Sequence, residues 1–251
     1  MLHGIQSHSG WYARSASWLA EKGIAVVAPD RRGSGMNIPD RGHAPSWELL
    51  VDDVVRVTDS AFSTEPDVPI HLMGISWGAK LAAAAILAHP ARYESVIFSG
   101  PGFCPVCDLP AADKLRVGLG LMGDRRRYIP IPIGRGEMFT GNPTWARFID
   151  GDPLTLRSAT AGFFWESRKL DRHLARRIKR IENPAALFLG SDDRIIDEAR
   201  TRAFFDRPSY YNSRIHYYEG AGHTLEFEPD PSDYLSDLLG WVRFDPGFMT
   251  K

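Results

Sequence analysis

The chain has 251 residues, 43% of them hydrophobic, with a formal net charge of −1, so it can bury one large core. No run of 18 apolar residues is present to span a membrane, and Met1 to Gly4 lacks the basic and apolar regions of a signal peptide. Two cysteines are too few for a disulfide framework, and cytoplasmic residence is the expectation. Charge is unevenly spread: residues 101–182 carry 15 Lys and Arg against 9 Asp and Glu, a net of +6, and the remainder is −7. Neither finger spacing nor an aromatic RNA-binding pattern accompanies the basic segment, which excludes a nucleic-acid surface and suggests a lid.

Trp11 to Glu21 reads as a helix, and Ile24 to Ala28 as a β-branched strand ending in the turn-rich Asp30-Arg31-Arg32-Gly33-Ser34-Gly35. Ser46 is a candidate N-cap for a helix whose Leu50, Val54, Val57 and Ala61 recur at helical spacing until Pro66. Pro69 to Ser76 reads as a strand, Trp77 to His89 as an alanine-rich helix, and Ser95 to Phe98 as another strand. Beyond the basic segment, strands are predicted at Ala185 to Leu189 and Arg214 to Tyr218, and helices at Glu198 to Phe205 and Pro231 to Phe244. This alternation predicts an α/β fold with a mostly parallel sheet covered on both faces.

Gly74-Ile75-Ser76-Trp77-Gly78 sits where the strand that begins at Pro69 turns into the alanine-rich helix. A G-x-S-x-G pentapeptide between strand and helix projects the serine hydroxyl from a turn so sharp that its flanking residues must be small. A hydroxyl needs a base to take its proton and a carboxylate to orient that base. Parallel sheets gather such groups at the carboxyl ends of their strands. The strand after residue 185 ends in Gly190-Ser191-Asp192-Asp193-Arg194, and the strand before residue 219 in Glu219-Gly220-Ala221-Gly222-His223. Ser76, an aspartate and His223 therefore form a candidate triad, with Asp192 and Asp193 both open for the acid. Alone, the Asp pair would read as a helix cap and the histidine as a loop residue. The loop from His3 to Tyr12 can aim a backbone N–H at a reacting carbonyl, and the residue after the nucleophile supplies the second donor. Ile5 and Trp77 are assigned these roles.

His3 to Tyr12, Asp30 to Gly35, Gly74 to Gly78, Gly190 to Asp197 and Ala221-Gly222-His223 together resemble the α/β-hydrolase fold. The similarity is greatest to its monoacylglycerol lipase and lysophospholipase group, also labelled serine aminopeptidase-like hydrolases. The resemblance places the acid on Asp193. It implies cleavage of esters of single-chain lipids without metal or cofactor, and a cap inserted at residues 101–182 between core segments 1–100 and 183–251. Two departures stand out. Ala79 occupies a position that is often glycine, and only Met1 and Leu2 precede His3 where a central strand is expected. N-terminal strands are therefore expected to be missing, through a misassigned start or a truncated chain.

Within the cap, Phe163, Phe164 and Trp165 are candidate substrate-binding residues, with Ile149, Leu154 and Leu156 as further channel candidates; aromatic residues in a helix serve as plain core equally well. Leu170, Leu174, Ile178 and Ile181 recur at helical spacing amid Arg172, Arg176, Arg177, Lys179 and Arg180. This basic amphipathic stretch reads either as a solvated outer helix or as a peripheral contact with anionic lipid. Cys104-Pro105-Val106-Cys107 has redox spacing but lacks the helix start and further ligands that redox or zinc chemistry requires. The expected partner is a small-molecule ester or lipid. The same triad would serve a thioesterase, a lactonase or an acyltransferase, and a non-catalytic binding protein on this scaffold is the reading from another class.

Overall fold

The computed structural model describes residues 1–65, 67–205 and 213–243. Its first helix, α1 (Ala13–Glu21), follows a 3-10 turn at Ser9–Tyr12. Next is α2 (Trp47–Ala61), capped by Ser46 Oγ accepting from the Leu49 N–H at 3.1 Å, as expected. It ends at Ala61, ahead of Pro66, which lies outside the described residues. Then come β1 (His71–Ile75), α3 (Gly78–Ala88) and β2 (Ser95–Ser99). Residues 101–182 contribute α4 (Ala111–Met122), β3 (Tyr128–Pro130), α5 (Pro143–Gly151), β4 (Ser158–Thr160) and α6 (Ala161–Arg177). The chain closes with β5 (Ala185–Gly190), α7 (Glu198–Phe205), β6 (Ser213–Tyr218) and α8 (Ser232–Arg243). The helix expected to run to Phe244 is described as far as Arg243.

The main sheet is parallel throughout, in the order β1-β2-β5-β6, with Leu72 opposite Val96 and Phe98 opposite Leu187. Every residue of β2 and β5 is buried, whereas β6 at the edge leaves Ile215 and Tyr217 exposed. Continuous apolar strands are what a sheet covered on both faces demands. Two helical layers supply the cover, α1 with α8 and α2 with α3 and α6. All of α3 from Gly78 to Ile86 is buried, so its alanines serve close approach to both sheet and α6. Residues 101–182 carry a separate antiparallel pair, β3 with β4.

Ile24 to Ala28 differs from expectation: it is not a strand. A strand exists only by pairing, and here the Met1 amine donates to the Val27 carbonyl at 2.7 Å and the Ile24 N–H to the Leu19 carbonyl at 3.1 Å, neither of which makes a ladder with a neighbouring strand. Leu2 instead lies beside β1, donating to Met73 O (2.7 Å) and accepting from the Ile75 N–H (2.9 Å). Between residues 24–27 and 70–73 is an apolar cavity of about 340 Å³.

Close approach explains why two glycines flank Ser76. A Cβ on Gly74 would sit 2.5 Å from Ala79 Cα, and one on Gly78 would strike the Leu2 and His3 carbonyls. Gly118 on α4, by contrast, has nothing within 4 Å of a built Cβ. Gly78→Ala is expected to cost about 1–3 kcal/mol by overpacking, a Tm loss of roughly 2–4 °C per kcal/mol. Gly118→Ala should instead add about 0.5–1 kcal/mol through helix propensity. Scanning calorimetry of the two variants checks the opposite signs.

Candidate active site

Ser76 stands at the end of β1 with φ 54°, in the left-handed region a non-glycine residue rarely adopts. The conformation is over-determined by its surroundings. Its N–H donates to Ser99 O at 2.9 Å, and its carbonyl accepts from the Gly102 N–H (2.9 Å) and the Ala79 N–H (3.1 Å). Asp193 follows β5 and His223 follows β6, so the parallel sheet delivers both to the same edge as Ser76. His223 Nδ1 lies 2.7 Å from Asp193 Oδ2, with the two side chains 1% and 2% exposed. Asp193 Oδ1 accepts from the Ile195 and Ile196 N–H groups at 2.8 and 3.0 Å. A carboxylate beside Nδ1 selects the tautomer that donates from Nδ1 and leaves the lone pair on Nε2. Nε2 is buried with no hydrogen-bond partner among the described residues. Asp192, the alternative acid, is exposed, with Oδ1 on Ser191 Oγ at 3.2 Å.

The loop from His3 to Gly10 packs on Ser76: a Cβ on Gly4 would be 3.2 Å from Ser76 Cβ. His3 orients the Gly4–Ile5 peptide. Its Nδ1 donates to Gly4 O at 2.8 Å, while Nε2 accepts from the Arg31 N–H at 2.9 Å. Burial, then the nearby Arg31 charge, pushes the His3 pKa down to about 3, which keeps the ring neutral as both bonds require. The Ile5 and Trp77 N–H groups both lack an acceptor among the described residues, and both residues line one cavity with Ser76. Further along, the Gln6 side chain donates to Ile133 O (2.7 Å), and His8 and Trp11 both bind Asp152 Oδ2, at 2.9 and 2.7 Å. The loop is thereby tied to residues 101–182.

Arg31 is the residue that sequence reasoning missed. Within a turn-rich Asp-Arg-Arg-Gly run nothing distinguished it from a solvated charge. In the fold its guanidinium donates to Ile5 O (3.2 Å) and Ser34 Oγ (2.7 Å) and lies 4.7 Å from the Trp77 ring centroid and 5.2 Å from that of Phe163. One cation thus contacts both residues assigned to the oxyanion.

The cavity measures about 780 Å³. Phe164 and Trp165 line it; Phe163 does not, being buried against the Trp77 ring at 5.1 Å. Ile149 and Leu156 are core, and Leu154 is also absent from the wall, which is built by Phe103, Val117, Ile131, Ile133 and Phe204 instead.

The family model for serine aminopeptidase, S33, matches residues 1–230. The chain belongs to that family. It is 25% identical to a monoacylglycerol lipase of Mycolicibacterium smegmatis over 96% of this chain and 86% of that one. It is 24% identical to a monoglyceride lipase of Mus musculus over 96% and 80%. Among solved structures, a monoacylglycerol lipase of Paleococcus ferrophilus superposes with a TM-score of 0.85 at 19% identity, covering 96% of this chain and 91% of the other. This similarity shows the α/β-hydrolase fold.

In this serine aminopeptidase-family chain, Cys104 and Cys107 are free thiols in the cavity wall, and burial raises both thiol pKa values. Among the described residues, no group of three or more His, Cys, Asp or Glu is placed to hold a metal ion. Behind His223, Glu226 accepts from Ser15 Oγ at 2.6 Å, and burial raises its pKa to about 7.

Glu226 and His3 act on stability with opposite signs. Glu226, raised when folded, contributes fully below its ordinary 4.5 and loses that contribution as pH rises through about 7. His3, depressed when folded, contributes fully above 6.5 and loses that contribution as pH falls toward about 3. Between pH 4.5 and 6.5 the two slopes cancel. Glu226→Gln is expected to remove one of them, so the variant should lose about 1 kcal/mol per pH unit, relative to wild type, on acidification through that window. Urea unfolding at pH 4.5, 5.5 and 6.5 checks this, and parallel curves for the two proteins would contradict it.

Proposed function

We propose that this chain hydrolyses carboxylic esters of single-chain lipids, of monoacylglycerol or lysophospholipid type, through an acyl-enzyme on Ser76. The observation that carries the reading is the buried imidazole of His223, bound to Asp193 through Nδ1 and unpartnered at Nε2, on the same sheet edge as a serine held at positive φ. The relatives named as monoacylglycerol and monoglyceride lipases support the substrate class, as does a cavity with an apolar wall.

Ser76 Oγ attacks the ester carbonyl carbon while His223 Nε2 takes the hydroxyl proton. Asp193 keeps the imidazole oriented and stabilises the imidazolium. The carbonyl oxygen becomes an oxyanion held by the Ile5 and Trp77 N–H groups. The intermediate collapses, the C–O bond to the alcohol breaks, and His223 returns its proton to the departing oxygen. Water then attacks the acyl-Ser76 carbonyl, giving its proton to His223, and the fatty acid leaves as Ser76 recovers its hydrogen. Arg31 is a positioning residue here, because it reaches the oxyanion through Ile5 and Trp77. Residues 101–182 act as the cap over this site, and the exposed arginines of α6 support approach to an anionic lipid surface. Free cysteines support residence in the cytoplasm.

Ser76→Ala should abolish fluorophosphonate labelling and, like His223→Ala, lower kcat by roughly 10⁴- to 10⁶-fold. Asp193→Asn should cost about 10⁴-fold through the wrong tautomer. Labelling of folded Ser76→Ala at the wild-type rate would overturn the assignment. Arg31→Met is expected to lower kcat by roughly 10- to 100-fold with KM little changed, since it loosens groups engaged at the transition state. Steady-state kinetics on one ester, with Arg31→Lys as the charge-retaining control, measures that split.

A further inference from the structure

The cavity that contains Ser76 is lined by residues of two chemical kinds. Phe103, Val117, Ile131, Ile133 and Phe204 contribute apolar surface. The same lining holds five cationic side chains, Lys80, Lys114, Arg168, Arg172 and Arg200, and two carboxylates, Asp108 and Asp171. Both carboxylates are already taken. Lys80 Nζ, 6% exposed, is 2.6 Å from Asp171 Oδ1, and Lys114 Nζ is 2.5 Å from Asp108 Oδ2.

Arg168 and Arg172 of α6 and Arg200 of α7 remain, none in an ion pair among the described residues. The Arg172 guanidinium lies 5.5 Å from the Trp165 ring centroid, which holds it on the cavity side of the helix. Arg168 and Arg172 are four residues apart, so their like charges sit on one helix face and repel each other. Arg176, Arg177 and Lys179 are exposed on the same helix and its extension yet lie outside the cavity wall. Arg168, Arg172 and Arg200 share the cavity with Ser76, and none of the three is in an ion pair among the described residues. An amphiphile with an apolar chain and an anionic group would meet both kinds of lining and neutralise the unpaired arginines.

We propose that the cavity selects esters whose alcohol part carries a phosphate, bound by Arg168, Arg172 and Arg200, over neutral esters with the same acyl chain. This rests on the ester-hydrolase reading above and deepens it. Guanidinium groups suit phosphate because their planar N–H pairs match its oxygens.

The test compares 1-octanoylglycerol 3-phosphate with 1-octanoylglycerol, both below their aggregation concentrations so that no lipid surface is present. Binding to Ser76→Ala is measured by calorimetry and turnover with the wild-type chain. The phosphate ester is expected to bind and react roughly 10- to 100-fold better, from about a fivefold contribution per solvent-facing arginine. Arg168→Gln with Arg172→Gln should bring that ratio down to roughly fivefold, the share left to Arg200, and Arg168→Lys with Arg172→Lys should retain most of it. Rising inorganic phosphate should compete with the phosphate ester and spare the neutral one; competition with both equally would count against the subsite. Equal affinity of Ser76→Ala for the two esters would overturn the proposal whatever the chain catalyses. Failure of the wild type to take a fluorophosphonate label, with the affinity difference intact, would instead sink the hydrolase reading alone.

Discussion

The constraint on which the site depends is the backbone turn at Ser76. A serine at φ 54° is held there against its own preference by hydrogen bonds from both sides and by neighbours too close for any side chain at Gly74 or Gly78. The same contacts that make those glycines obligatory bring Leu2 and His3 against the start of α3. The loop that follows His3 therefore reaches Ser76. Strain at one residue is stabilised by the burial of the whole sheet edge around it, where β1, β2 and β5 are apolar almost throughout.

From that turn outward, the site is a set of backbone groups and rings that other residues hold in place. His3 uses both ring nitrogens on backbone, which is compatible only with its neutral form. Asp193 has each carboxylate oxygen engaged, one on His223 and one on two backbone N–H groups. Arg31 joins the two sides of the site by contacting Ile5 and Trp77 together. Residues 101–182 enter the same network through Gln6, His8 and Asp152. These attachments run through the loop beside Ser76.

Much of the scaffold was legible in residue pattern. Helix starts at Ser46 and strands such as Ser95 to Ser99 follow from capping chemistry and apolar runs, which are local. Ile24 to Ala28 misled because β-branched composition reports only a readiness to pair, and its partner is a matter of what lies beside it in space. Phe163 misled for a related reason. Helical spacing puts Phe163, Phe164 and Trp165 in one turn, but which of them faces a cavity depends on where the neighbouring helix and Arg31 sit.

Chain order and strand ends by themselves determined the candidates Ser76, His223 and an acid at Asp192 or Asp193, because parallel sheets bring the ends of successive strands to one edge regardless of loop detail, and the family resemblance then chose Asp193. Only the tertiary structure decided which protonation states the buried groups adopt, which arginine is folded inward and which remain on the cavity wall. These properties arise from desolvation and from partners distant in the chain, such as His3 with Arg31 or Lys80 with Asp171, and no spacing rule along a sequence encodes them.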